Sequence, residues 1–200
     1  MSTRSELEAL ERVAYREAYS DGIFDLFFGL SLVWIGAAWL WLPDYSGLAG
    51  VLPAIFIAPV IEARKRFVEP RIGYVKWSES RARQERRGLV QILGVGVLML
   101  VGGVAVYLWF GTGADSEVMD TLVPALPSLL LALGAGLLGL VAGIPRAVGY
   151  AAILVGAGFL TILREADPGL DMFVSGTVIT AIAVGLIVSF VRHHPVSDAT

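Results

Sequence analysis

Glu17, Asp21 and Asp25 recur at every fourth position near the start of the chain. On a continuous helix that spacing sets three carboxylates on one face. Carboxylates so placed can hold a cation or a proton, or they can pair with a basic segment that the fold brings back to them. Such a segment exists at Arg64, Lys65 and Arg66. Asp25 is the most informative of the acids, because apolar residues both flank it and follow it as far as Trp41. If an apolar helix begins at Gly22, Asp25 lies about three residues inside it, roughly 5 Å deep at helical rise. A carboxylate at that depth must face protein or water and have a partner. Glu17, Asp21, Asp25, Arg64, Lys65 and Arg66 are therefore the candidate cluster, read either as an ion-pair clamp or as an ion site.

The elements that must position this cluster are membrane helices. Of the 200 residues, 56% are hydrophobic and 16% charged, and the mean hydropathy is +0.72. The apolar residues fall into six stretches, at 22–41, 46–61, 88–110, 123–142, 148–163 and 172–191, which contain Asp25 and no other charge. About 20 helical residues cross the hydrocarbon layer, so the sequence predicts an all-α polytopic membrane protein with six transmembrane helices. Of the 15 Lys and Arg residues, 14 fall on the side shared by the termini, nine of them in residues 62–87, and only Arg164 falls on the other. The positive-inside rule then puts both termini and the basic loop in the cytoplasm of a cell with this protein in its inner membrane. The first 21 residues are charged and lack the apolar core of a cleavable signal peptide. The expected organisation is a cytoplasmic amphipathic helix over 1–21, a six-helix membrane domain over 22–191 and a cytoplasmic tail over 192–200.

Residues 62–87 carry nine bases and four acids, a net of +5 beside the inner leaflet. Anionic headgroups are the natural counter-charge for such a segment. Within it, Arg71, Gly73, Tyr74 and Trp77 read as an interfacial loop, a short extended piece with its aromatic rings at headgroup level. The expected partners are the lipid bilayer, anionic lipid headgroups and a second copy of the chain, and not nucleic acid. Pro70, Arg71, Ile72, Gly73, Tyr74 is partly echoed by Pro145, Arg146, Ala147, Val148, Gly149, Tyr150. The echo suggests a duplicated helical hairpin, with a three-plus-three inverted repeat as the alternative.

The 23 glycines include many inside the apolar stretches. Small residues four apart, such as Ala132 with Gly136, Ala152 with Gly156 and Ala181 with Gly185, predict close helix crossings or a homodimer face. The chain has no Cys, and both His lie in the tail. Thiolate chemistry, intramembrane Ser/His catalysis, zinc ligation and bis-His haem are thereby excluded from the spans. No phosphate-binding Gly-rich loop and no potassium-filter sequence is present. The sequence predicts no catalytic, cofactor-binding or metal residues, and hence a protein that is not an enzyme.

Two resemblances bear on this reading. With Asp21, Gly22, Ile23, Phe24, Asp25 and with Pro70, Arg71, Ile72, Gly73, Tyr74, Val75, about 80 residues of the chain resemble a set of small uncharacterised prokaryotic integral membrane proteins. These share an Asp-Gly-aliphatic-aromatic-Asp first helix and a later Pro-Arg-x-Gly-Tyr-Val stretch, and the likeness implies no activity. Ser20 and Asp21 are also similar to the end of the Arg-x-x-x-Phe-Ser-Asp opening of six-helix potassium channels, with Tyr15 where the Arg belongs. That likeness implies a small oligomeric channel as the alternative function.

Overall fold

A computed structural model describes residues 21–42, 51–72, 123–142 and 144–195, together with isolated positions between them. These residues form five helices: α1 (Ile23–Trp41), α2 (Val51–Ile72), α3 (Leu126–Ala142, entered through a 3-10 turn at Val123–Ala125), α4 (Pro145–Arg164) and α5 (Pro168–His193). No strand occurs among the described residues. Four segments are long and apolar enough to cross a membrane: Ile23–Trp41, Val123–Leu140, Pro145–Arg164 and Pro168–His193.

The local sequence explains where the helices start and stop. Asp21 accepts the backbone N–H of Ile23 at 2.8 Å, and Gly22 adopts φ +78, a left-handed conformation in which only glycine is at ease. The chain therefore turns at Asp21–Gly22, and the first intrahelical bond runs from Leu26 N–H to the Gly22 carbonyl. The predicted stripe from Glu17 through Asp25 is thus not one continuous helical face. Glu17 and the rest of the predicted 1–20 helix lie outside the described residues. Pro43 follows Leu42 and stops α1, since the residue before a proline is pushed out of the helical region. Pro145 and Pro168 each open their helices at the first position, where no N–H is needed. Asp167 caps α5 by accepting the Gly169 N–H at 2.6 Å.

α2 departs from the predicted boundaries. The second predicted span, 46–61, corresponds to a helix that begins at Val51 and continues to Ile72, so the expected basic loop starts as helix. Its apolar part, 51–61, rises only about 16 Å before Glu62, Arg64, Lys65 and Arg66 make the remainder polar. Arg71, expected in an extended piece, lies in the last turn of α2, where its Nη1 donates to the Phe67 carbonyl at 2.8 Å. Gly73, Tyr74 and Trp77 lie outside the described residues. The sequence echo also sits in unlike places, because Pro70 and Arg71 close α2 whereas Pro145 and Arg146 open α4. Of the third predicted span, the isolated positions 94, 101, 102, 105 and 108 are described, and they are helical.

The helices pack as two pairs. α1 lies mainly on α5 and α3 mainly on α4, while α4 meets α5 over a smaller interface and α3 meets α5 over less again. The α1–α5 seam runs on a seven-residue period. Gly36 faces Gly169, Gly29 faces Gly176 and Gly22 faces Ala183. A Cβ on Gly176 would lie 2.8 Å from the Gly29 carbonyl, and one on Gly22 would lie 3.0 Å from the Ala183 carbonyl. Close backbone approach of this kind is how helices gain van der Waals contact in lipid, where no hydrophobic force draws them together. The seven-residue repeat keeps the same stripe at the seam over three successive contacts. The predicted crossings fare unevenly: a Cβ on Gly136 would meet Ala151 of α4 at 3.6 Å, whereas Gly156 and Gly185 face open space. Leu32, Ala132, Leu154, Met172 and Ile179 form the buried apolar centre at which α1, α3, α4 and α5 converge.

Candidate polar cluster where the first helix begins

Asp21 is 1% exposed and Asp25 7%. Both sit at the end of the bundle where α1 begins, and each has an arginine from a different helix. Arg64 of α2 donates through Nε to Asp21 Oδ2 at 2.6 Å. Its guanidinium also lies over the Phe24 ring, 5.4 Å from the centroid. Arg146 of α4 brings Nη1 to 3.2 Å from Asp25 Oδ2. The expectation that Arg64, Lys65 or Arg66 would neutralise Asp25 is therefore corrected: Arg64 bonds to Asp21, and Arg146 takes Asp25.

Helical spacing makes this possible. Arg146 and Tyr150 stand four apart on one face of α4, and Asp25 and Phe28 three apart on one face of α1. The two faces meet, with the Phe28 and Tyr150 rings 6.3 Å apart. Tyr150 is buried, and its side chain interacts with the Asp25 carboxylate. Asp21 does two things with its two oxygens, since one accepts from Ile23 N–H and the other from Arg64. The Asp-Gly pair thus starts the helix, permits the close pass of α5 and fastens α2.

Lys65 and Arg66 point away from this centre. Both are exposed, and Arg66 pairs with Glu62 of its own helix at 3.3 Å, its side chain 80% exposed. Of the six candidate cluster residues, the structure brings together Asp21, Asp25 and Arg64, leaves Lys65 and Arg66 on the surface, and does not describe Glu17. Arg146 and Tyr150 complete the group. The sequence did carry a signal for Arg146, which is the one base in the connection before the fifth predicted span and falls on the same side as Asp25.

A second polar group lies near the other end, and the sequence reading passed over it. Asp171, in the first turn of α5, is buried. It accepts from the hydroxyl of Ser128 on α3, and from that of Ser175, one turn along its own helix, at 3.4 Å. Among the described residues Asp171 makes no ion pair. The predicted sixth span begins at Met172, one residue past Asp171, which places Asp171 in a connection, and nothing in the sequence marks Ser128 or Ser175.

The chemistry available at the first cluster is limited by its own pairing. Asp21 has both oxygens engaged, by Ile23 N–H and by Arg64, and little affinity left for a cation, whereas Asp25 Oδ2 is ion-paired with Arg146 but has no hydrogen-bond partner among the described residues. Removing one partner of a buried pair costs about 3–5 kcal/mol, because the other charge is left uncompensated. Arg64 and Arg146 keep some contact with solvent, so the values here belong at or below the lower end. No group of three His, Cys, Asp or Glu side chains that could hold a metal occurs among the described residues. No family model, curated protein or solved structure matches the chain.

Proposed function

We propose that this is a non-enzymatic integral membrane protein of the inner cell membrane, with six spans and both termini in the cytoplasm, whose basic cytoplasmic face docks on anionic lipid headgroups. α2 and the segment 88–110 supply the two spans beyond the four apolar ones. One observation carries the reading. Asp21 and Asp25, the acids that sequence offers for chemistry, are buried and claimed by arginines from two other helices, while Lys65 and Arg66 beside them stay exposed. The acids serve assembly, while Lys65 stands exposed and Arg66 holds only a solvent-exposed pair with Glu62 that a stronger counter-charge can displace. Headgroup phosphates are that counter-charge, with on the order of 1 kcal/mol for each well-placed base.

The test is lipid retention. Protein purified from membranes is expected to keep phosphatidylglycerol or cardiolipin over phosphatidylethanolamine, and the double variant Lys65→Gln/Arg66→Gln to keep measurably less. Equal retention by the two proteins would overturn headgroup docking and leave self-association or a protein partner to account for the basic face. A small oligomeric ion channel or transporter is the second reading, favoured by Asp171, which is buried against two hydroxyls with no ion pair among the described residues. Sodium, potassium or proton flux in proteoliposomes that changes with Asp171→Asn or Asp25→Asn would move the assignment to that reading.

A further inference from the structure

Polar contacts between the two helix pairs are confined, among the described residues, to their two ends. Where α1 begins, Asp25 of the α1–α5 pair meets Arg146 of the α3–α4 pair. Near the opposite end, Asp171 of the α1–α5 pair accepts from Ser128 of the α3–α4 pair. Between these contacts the interface is apolar, formed by Leu32, Met172 and Ile179 on one side and Ala132 and Leu154 on the other. Packing is extensive inside each pair and sparse between them. Glycine backbones lock α1 to α5 at three levels, and α3 is tied to α4 by the Gly139 carbonyl, which accepts the Ile144 N–H across their turn.

We propose that the two pairs move against each other as units, with Asp25–Arg146 and Ser128–Asp171 as separate latches at the two faces and the apolar centre as the seal between them. Breaking one latch lets the interface open at that face while the other stays shut. Helix pairs that rock about a packed centre are a general means of exposing a membrane protein's interior to one side at a time. The device goes beyond the docking reading and operates whether or not anything is transported.

The chain has no Cys, so single cysteines report without background. Leu154 lies two turns beyond Arg146 on α4, inward of the Asp25–Arg146 latch, and Ala132 lies one turn beyond Ser128 on α3, inward of the other; both are buried in the apolar centre. Leu154→Cys and Ala132→Cys are made separately in the full chain, reconstituted in vesicles, and labelled with a membrane-impermeant maleimide from each side in turn. Arg146→Gln is expected to speed labelling of Leu154→Cys, from the face where α1 begins, on the order of tenfold, as for loss of a partly buried ion pair. It leaves Ala132→Cys unchanged from the opposite face. Ser128→Ala does the converse, on the order of fivefold, as for loss of one hydrogen bond. Acceleration at both cysteines by either variant, or at neither, overturns the proposal, because general loosening of the fold has no sidedness. The conservative variant Arg146→Lys, which keeps the positive charge, restores slow labelling and separates loss of the latch from misfolding. An inverted topology exchanges the two sides together and leaves the pattern intact.

Discussion

Asp25 and Arg146 show what a single pair of side chains decides. Both were available to sequence reasoning, yet the pairing was not, since chain proximity favoured Arg64 and only the packing of α1 on α4 selects Arg146. A double-mutant cycle on thermal unfolding in bilayer nanodiscs is expected to give a coupling of about 0.5–3 kcal/mol between Asp25 and Arg146. The same cycle between Asp25 and Arg64 is expected to give less, and equal coupling would argue that the two arginines share both acids. Gly22 poses the sharper test of backbone. Gly22→Ala forces a side chain into φ +78 with its Cβ 2.9 Å from the Leu186 Cβ, and is expected to cost on the order of 2–3 kcal/mol from the left-handed conformation and the clash together. Gly156→Ala, whose added Cβ meets open space, is expected to change stability by no more than about 0.5 kcal/mol.

Helices were more legible than their pairings. Runs of apolar residues located α1, α3, α4 and α5 to within a few positions, because stretches of sixteen to twenty residues with at most one charge are long and apolar enough to enter a bilayer as helices. Boundaries failed where a helix outran its apolar stretch. α2 continues through Glu62–Ile72, past the end of its apolar stretch and with Pro70 in its last turn, and charge patterning says where lipid ends without saying where the helix does. Asp171 was missed for the related reason that α5 begins at Pro168, four residues before the predicted span. The glycine seam was present in the sequence as Gly22, Gly29, Gly36 and as Gly169, Gly176, Ala183, at a period of seven rather than the four that was sought. Gly176→Ala is expected to cost about 1–3 kcal/mol, since the Cβ would press on the Val33 and Gly29 backbone, which has no rotamer by which to yield. Thermal unfolding of this variant beside Gly185→Ala, which meets open space, checks that the seam and not glycine loss as such is responsible.

For the molecule as a whole, the charge distribution and the packing point the same way. Among the described residues, Arg64, Lys65, Arg66, Arg146 and Arg192 lie toward the end where Asp21 and Asp25 are buried, so the side that the positive-inside rule would assign to the cytoplasm is also the side at which three helices are fastened by ion pairs. Cysteines introduced at Ser197 and at Glu165, labelled in intact cells and in inverted vesicles, are expected to react from the cytoplasmic and outer sides respectively; reaction of both from one side would refute α5 as a span. α5, at 26 residues, rises about 39 Å and exceeds the roughly 30 Å hydrocarbon layer, so it must tilt or protrude.

The α1–α5 seam has a consequence for how the protein is made. Gly36 meets Gly169 and Asp25 meets Arg146, so the helix that enters the bilayer early finds its partners only after more than a hundred further residues have been translated. At about 5–20 residues per second that interval lasts on the order of ten seconds. Throughout it α1 waits in lipid or in the insertion machinery with a bare glycine groove and an uncompensated carboxylate. The nascent chain is thus most exposed to quality-control proteolysis before α5 emerges, and a truncation that removes α5 strands its first helix in that state.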